Sequence, residues 1–150
     1  MVEVRKGDLF KSGAYAIVNT VNCVGVMGKG IALEFKNRYP TMFGEYVDMC
    51  RRGWIKPGKV WAWATTTGPN TYPQVIYNFP TKDHWRNPSK LEWIASGLDD
   101  LKSYVTMDVE SLALPALGCT NGGLRFEDVR ALIEEKLNDL EIPVILYEPQ

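Results

Sequence analysis

Two short apolar runs, Tyr15 to Val21 and Ser111 to Leu117, both empty into a glycine-rich loop and then into a helical period. Short, largely apolar stretches of that length, the first of them β-branched, suit strands buried on both faces, and such strands belong to largely parallel sheets covered by helices on both sides. The first run leads into Asn22-Cys23-Val24-Gly25-Val26-Met27-Gly28-Lys29-Gly30, after which Ile31, Phe35 and Tyr39 recur at every fourth residue until Pro40. Thr41 is expected to cap a second helix with Phe43, Tyr46, Val47 and Cys50 on one face. The second run leads into Gly118-Cys119-Thr120-Asn121-Gly122-Gly123 and then a helix marked by Val129, Leu132, Ile133 and Leu137.

The remaining segments fit the same alternation. Lys56-Pro57-Gly58-Lys59 reads as a turn, Trp61 and Trp63 as a half-exposed strand, Val75 to Phe79 as a strand closed by Pro80, and Pro143 to Tyr147 as a last strand. Ser89 and Glu92 have the spacing of a capping box ahead of a helix whose core face is Leu91, Ile94, Ala95, Leu98 and Leu101. The expectation is one α/β domain over residues 1–150: three layers, α/β/α, around a mixed, largely parallel sheet with binding loops at the carboxyl ends of the strands.

Seventeen basic residues against eighteen acidic ones give a formal charge of -1, too balanced for a protein that holds duplex nucleic acid by bulk electrostatics. Any nucleic-acid contact must be local. Cys23, Cys50 and Cys119 are odd in number and widely spaced, which suits a reducing cytoplasm better than a disulfide framework. The charged start, Met1 to Asp8, is unlike a signal peptide, and no apolar run reaches membrane-spanning length, so neither secretion nor a membrane partner is expected.

A small-residue loop between a buried strand and a helix gathers backbone N–H groups and the positive end of a helix dipole around one point, and diphosphate is the natural occupant. Each loop could also simply turn a tight corner. The spacing GVMGKG at 25–30 fits neither the dinucleotide fingerprint nor the ATPase phosphate loop, and one histidine with scattered cysteines offers no metal cluster.

Gly7-Asp8-Leu9, Ile17-Val18-Asn19-Thr20-Val21-Asn22 running into GVMGKGIALEFK, Asn78-Phe79-Pro80-Thr81-Lys82, and Pro115-Ala116-Leu117-Gly118-Cys119 before the second loop together resemble the macrodomain family over essentially the whole chain. More narrowly they are similar to its DarG branch, DNA ADP-ribosyl glycohydrolase antitoxins paired with DarT toxins that modify thymidine in single-stranded DNA. The resemblance implies ADP-ribose as ligand and product, no cofactor, ADP-ribosylated single-stranded DNA as substrate, a DarT-type ADP-ribosyltransferase as partner, and usually a further C-terminal segment that binds the toxin.

It also implies roles. Asp8, with Leu9 beside it, would hold the adenine amino group, where position alone also allows a turn or capping aspartate. Asn22 would orient the distal ribose. Asn19, Thr20, Gly28, Lys29, Gly30, Ile31 and Thr81 would complete one wall, and Leu117, Gly118, Cys119, Thr120, Asn121, Gly122, Gly123 and Leu124 the other. Lys82 would be catalytic, although by position alone it reads as a surface lysine. The related human terminal ADP-ribose glycohydrolase carries an assisting aspartate in its second loop, where this chain has Gly122, and Thr120 stands where glycine is common. Next to Lys82, His84, Trp85 and Arg86 form a candidate DNA contact, joined by Lys90. Stacking or core packing are both open for Trp85, and acid catalysis or a structural role for His84. The alternatives to a DNA-directed hydrolase are a module that binds ADP-ribose without cleaving it, and a hydrolase of ADP-ribose esters on protein carboxylates or nucleic-acid terminal phosphates.

Overall fold

The run after Tyr15 becomes β2 (Ala16–Val21), and five of its six residues are buried because a helical layer covers each face of the sheet. In the computed structural model, which describes residues 1–150, β2 is joined by β1 (Val2–Arg5), β3 (Trp61–Ala64), β4 (Val75–Pro80), β5 (Leu112–Leu114) and β6 (Val144–Tyr147). The sheet order is β1-β6-β5-β2-β4-β3, and only the β3–β4 pair is antiparallel. The mixed, largely parallel sheet is therefore as the alternation of elements predicts.

Helices α1 (Gly30–Arg38) and α2 (Pro40–Arg51) cover one face, while α3 (Leu91–Tyr104) and α4 (Phe126–Leu137) cover the other. Successive strand residues point to opposite sides. Val18, Phe79, Leu114 and Leu146 accordingly join Ile94, Leu98, Val129 and Ile133 in one core, and Ile17, Ile76, Ala113 and Ile145 join Phe35, Met42 and Tyr46 in the other. Gly97 lies where a Cβ would come within 2.3 Å of the Phe79 ring, so its missing side chain lets α3 approach the sheet.

Several local expectations differ. β1 lacks a strong apolar signal because it is an edge strand, with Val2 and Val4 inward and Glu3 and Arg5 exposed. The strand expected over Ser111 to Leu117 keeps only three residues, since Pro115 has no N–H to offer the ladder and the chain turns through Ala116 and Cys119. Thr41 does not cap α2; Pro40 takes the first helical position, where its lost donor costs nothing, and Met42 rather than Phe43 is wholly buried. Ser89 does not cap α3 either. Lys90 is the N-cap residue without a side-chain bond, Leu91 is exposed, and Ser89 is drawn inward beneath the second glycine-rich loop.

Candidate ligand-binding cleft

In parallel strands the chain emerges at the same end of the sheet, so the segments after β1, β6, β5, β2 and β4 line up there in that spatial order. They enclose a cleft of about 860 Å³. From β1 to β4 is four interstrand steps, roughly 19 Å at about 4.8 Å each, enough for an extended ligand with a group at either end of a central diphosphate.

The middle is made by the two glycine-rich loops, which follow the adjacent strands β5 and β2. Gly30 adopts φ +55° and a Cβ there would lie 3.6 Å from the Asn121 side-chain nitrogen, so the loops meet at this point. Lys29, the N-cap residue of α1, makes no side-chain cap, which leaves the first-turn N–H groups of α1 available to an anion. In the second loop, Gly122 is enclosed: a Cβ would come within 2.2 Å of Ser89 Oγ and 2.3 Å of the Gly118 carbonyl oxygen. Ser89 N–H donates to the Gly122 carbonyl at 2.9 Å, while its buried hydroxyl has no partner. Thr120 is accommodated without strain, because Asn70 is the only non-glycine residue with positive φ.

At the β1 end, Asp8 caps a turn and also stands on the cleft wall. Its Oδ1 accepts from Phe10 N–H at 2.9 Å and caps a short 3-10 turn, and the residue also lies on the cleft wall with Leu9. Tyr147, Glu148 and Gln150 close this end, a contribution unmarked in the sequence until β6 is known to lie beside β1.

Lys82 occupies the other end. Its backbone is held against the first loop by Thr81 N–H to Val21 O at 2.9 Å, Cys23 N–H to Asp83 O at 3.1 Å and Cys23 Sγ to Lys82 O at 3.3 Å. The ammonium donates to the Trp85 carbonyl at 3.2 Å and enters none of the ion pairs. Partial burial, with the nearby Lys29 charge added, lowers its pKa from the ordinary lysine value. Cys119, the thiol on the cleft wall, is driven the other way: burial pushes it up to about 11, so it carries no thiolate at neutral pH. The environment thus shifts the amine toward its nucleophilic form and the thiol away from it.

Of the residues expected at the ligand, Asp8, Leu9, Thr20, Asn22, Gly28, Lys29, Gly30, Ile31, Thr81, Lys82, Gly118, Cys119, Thr120, Asn121 and Gly122 line the cleft, as does Trp85. Four do not. Asn19 is wholly buried, tying β2 to β4 through Asn78 Oδ1 at 3.1 Å, because it points to the opposite side of the strand from Thr20. Leu117 belongs to the core, Gly123 lies past the bend, and Leu124 packs beneath Gly118. Asn22 spends most of its amide on the loop itself: Oδ1 accepts from Val24 N–H, Val26 N–H and the Tyr46 hydroxyl, and Nδ2 donates to Val26 O at 2.7 Å. One Nδ2 hydrogen remains for a ligand. His84 and Arg86 stand outside the wall; His84 Nδ1 accepts from Arg86 N–H at 3.1 Å, and the Arg86 guanidinium lies 4.7 Å from the exposed Trp85 ring.

The macro domain family profile matches residues 18–133. The chain is 46% identical over 151 residues to a DNA ADP-ribosyl glycohydrolase of Mycobacterium tuberculosis, covering 99% of this chain and 42% of that protein. The solved macrodomain of Mycobacterium tuberculosis DarG superposes with a TM-score of 0.93 at 45% identity, covering 100% of this chain and 99% of the other. Thermosipho africanus DarTG in complex with ADP-ribose gives a TM-score of 0.90 at 35% identity, with 99% of this chain and 41% of that one covered. The human ADP-ribose glycohydrolase OARD1 is 30% identical over 146 residues, 95% of this chain and 88% of its own length. The chain thus spans about two fifths of the mycobacterial relative.

Proposed function

The chain belongs to the macro domain family, and from that premise we propose that it releases ADP-ribose from a DNA base, thymine in single-stranded DNA, through Lys82. The observation that carries the reading is a partly buried amine that enters no ion pair, held at the end of a cleft whose middle is formed by two glycine-rich loops and the N-terminus of α1. The full-length relatives are named DNA ADP-ribosyl glycohydrolases, which supports the same substrate. In this scheme Lys82 Nζ, as the free amine, bonds to the anomeric carbon while the base leaves with the glycosidic electron pair and takes up the proton that Nζ sheds. Water then adds at the same carbon and frees ADP-ribose and the amine. The net reaction is hydrolysis and needs no cofactor. A DarT-type transferase is the partner that would supply the modified strand.

The amine must be unprotonated, so turnover rises with pH through the Lys82 pKa. Lys29→Gln removes a like charge that lowers that pKa, and the rising limb of the kcat profile is expected to move to higher pH. An unchanged limb would remove Lys29 from the electrostatics of catalysis.

Trp85 and Arg86 are assigned to the nucleotides flanking the modified base. The double variant Trp85→Ala, Arg86→Ala is expected to raise KM for a modified oligonucleotide by about tenfold, the scale of one lost base stack, and to weaken free ADP-ribose binding by much less. Parental clearance by a folded double variant would sink this assignment. The enclosure of Gly122, which leaves no room for an acid there, favours one second reading, a module that binds ADP-ribose without hydrolysing it. Against that stands the Lys82 amine on the cleft wall, which enters no ion pair.

A further inference from the structure

Besides Trp85, a second tryptophan stands exposed at the catalytic end of the sheet. Trp54 is 57% exposed, with the Arg52 guanidinium 5.4 Å from its ring. Three observations place it there. β3 runs antiparallel to β4 with Trp61 opposite Asn78, so the residues preceding Trp61 continue past the end of β4, on the side where Thr81 and Lys82 emerge. α2 ends at Arg51 against the first loop, where a Cβ at Gly25 would lie 3.8 Å from Val47 Cα and 3.9 Å from Cys50 Cβ. Cys23, in the same loop, is bonded to the backbone of Lys82 and Asp83. Trp54 itself is anchored by its N–H to Met49 O at 3.0 Å.

Two exposed tryptophans, each with an arginine on or beside its ring, therefore flank the Lys82 end of the cleft on adjoining segments. Across residues 48–56 and 82–92 there are six lysines and arginines against Asp48, Asp83 and Glu92, in a chain whose net charge is -1. Asp48 pairs with Arg52 at 3.1 Å, so the guanidinium is held near the ring. Flat aromatic faces alternating with local positive charge are what a single strand requires, because every base has a π-face and every step a phosphate.

We propose that the surface of Trp54 and Arg52 continues the path begun by Trp85 and Arg86, so that single-stranded DNA leaving the cleft on the far side of the modified nucleotide stacks a base on Trp54. This rests on the proposed DNA-directed activity for the orientation of the strand, but the binding surface can be measured without turnover. A labelled, unmodified oligonucleotide of about 12 nucleotides, within the site sizes that stacking grooves cover, serves as the binding probe. Trp54→Ala is expected to weaken its binding by about tenfold, with Trp54→Phe restoring most of the loss and Arg52→Ala reducing the salt dependence. On the same oligonucleotide carrying ADP-ribose, Trp54→Ala raises KM and leaves kcat and ADP-ribose affinity unchanged. On an ADP-ribosylated mononucleoside it has no effect.

Parental behaviour of Trp54→Ala on both oligonucleotides would overturn the proposal, as would failure of the parent to bind the unmodified strand. If the parent hydrolyses neither modified substrate while oligonucleotide binding depends on Trp54, the activity reading falls and the surface stands.

Discussion

Replacing Lys82 with alanine is expected to cut release of ADP-ribose from a modified oligonucleotide by about a thousandfold or more while leaving the affinity for free ADP-ribose within a few-fold of the parent. The loss corresponds to about 4 kcal/mol of transition-state stabilisation, in the range seen when a nucleophile or a positioned proton-transfer group is deleted. The split between turnover and affinity follows from the layout of the cleft. Lys82 stands at the β4 end, whereas the α1 N-terminus and the second glycine-rich loop, the proposed diphosphate donors, lie at β2 and β5. A stopped assay of ADP-ribose release together with calorimetric titration separates the two. A variant that keeps turnover would place the chemistry on another group. The remaining thiols are poor candidates, since burial holds Cys23 up to about 12 and Cys119 up to about 11.

The second large effect concerns Gly122. Installing at this position the aspartate that the resemblance places in the human glycohydrolase's loop, Gly122→Asp, is expected to weaken ADP-ribose binding by about a hundredfold and to yield no faster enzyme, a loss of about 2.7 kcal/mol. The reason is steric before it is chemical. The Cβ alone would meet Ser89 Oγ at 2.2 Å and the Gly118 carbonyl oxygen at 2.3 Å, so this wall of the cleft must move. Ser89→Gly in the same chain removes the first contact and leaves the second, and only partial recovery is expected. Equilibrium binding and circular dichroism together separate a displaced loop from an unfolded one. Parental affinity with faster turnover in Gly122→Asp would show that the loop can admit an acid after all.

The architecture was legible because its strands are buried on both faces: runs such as Ile17-Val18 and Leu112-Ala113-Leu114 must be apolar throughout, and the glycines after them mark the strand ends where the cleft opens. β1 was hidden by the converse, an edge strand with one solvent face. The walls of the cleft nearest the glycines were readable, but depth was not. Asn19 and Thr20 are consecutive in the sequence, and only the pleat decides that the first ties two strands together while the second lines the cleft. Ser89 shows the same limit: its spacing to Glu92 suits a helix cap, yet the packing against Gly118 and Gly122 draws it under the loop. Contributions from Tyr147, Glu148 and Gln150 could emerge only from the pairing of the first strand with the last.

The most direct test of the whole account is to incubate the chain with three substrates in parallel: a single-stranded oligonucleotide carrying ADP-ribose on thymine, an ADP-ribosylated protein carboxylate and an oligonucleotide ADP-ribosylated on its terminal phosphate, and to quantify free ADP-ribose. Release from the thymine-linked strand, with little from the two esters and none from that strand by Lys82→Ala, is the predicted result. Tight binding of ADP-ribose without release from the thymine-linked strand would contradict it.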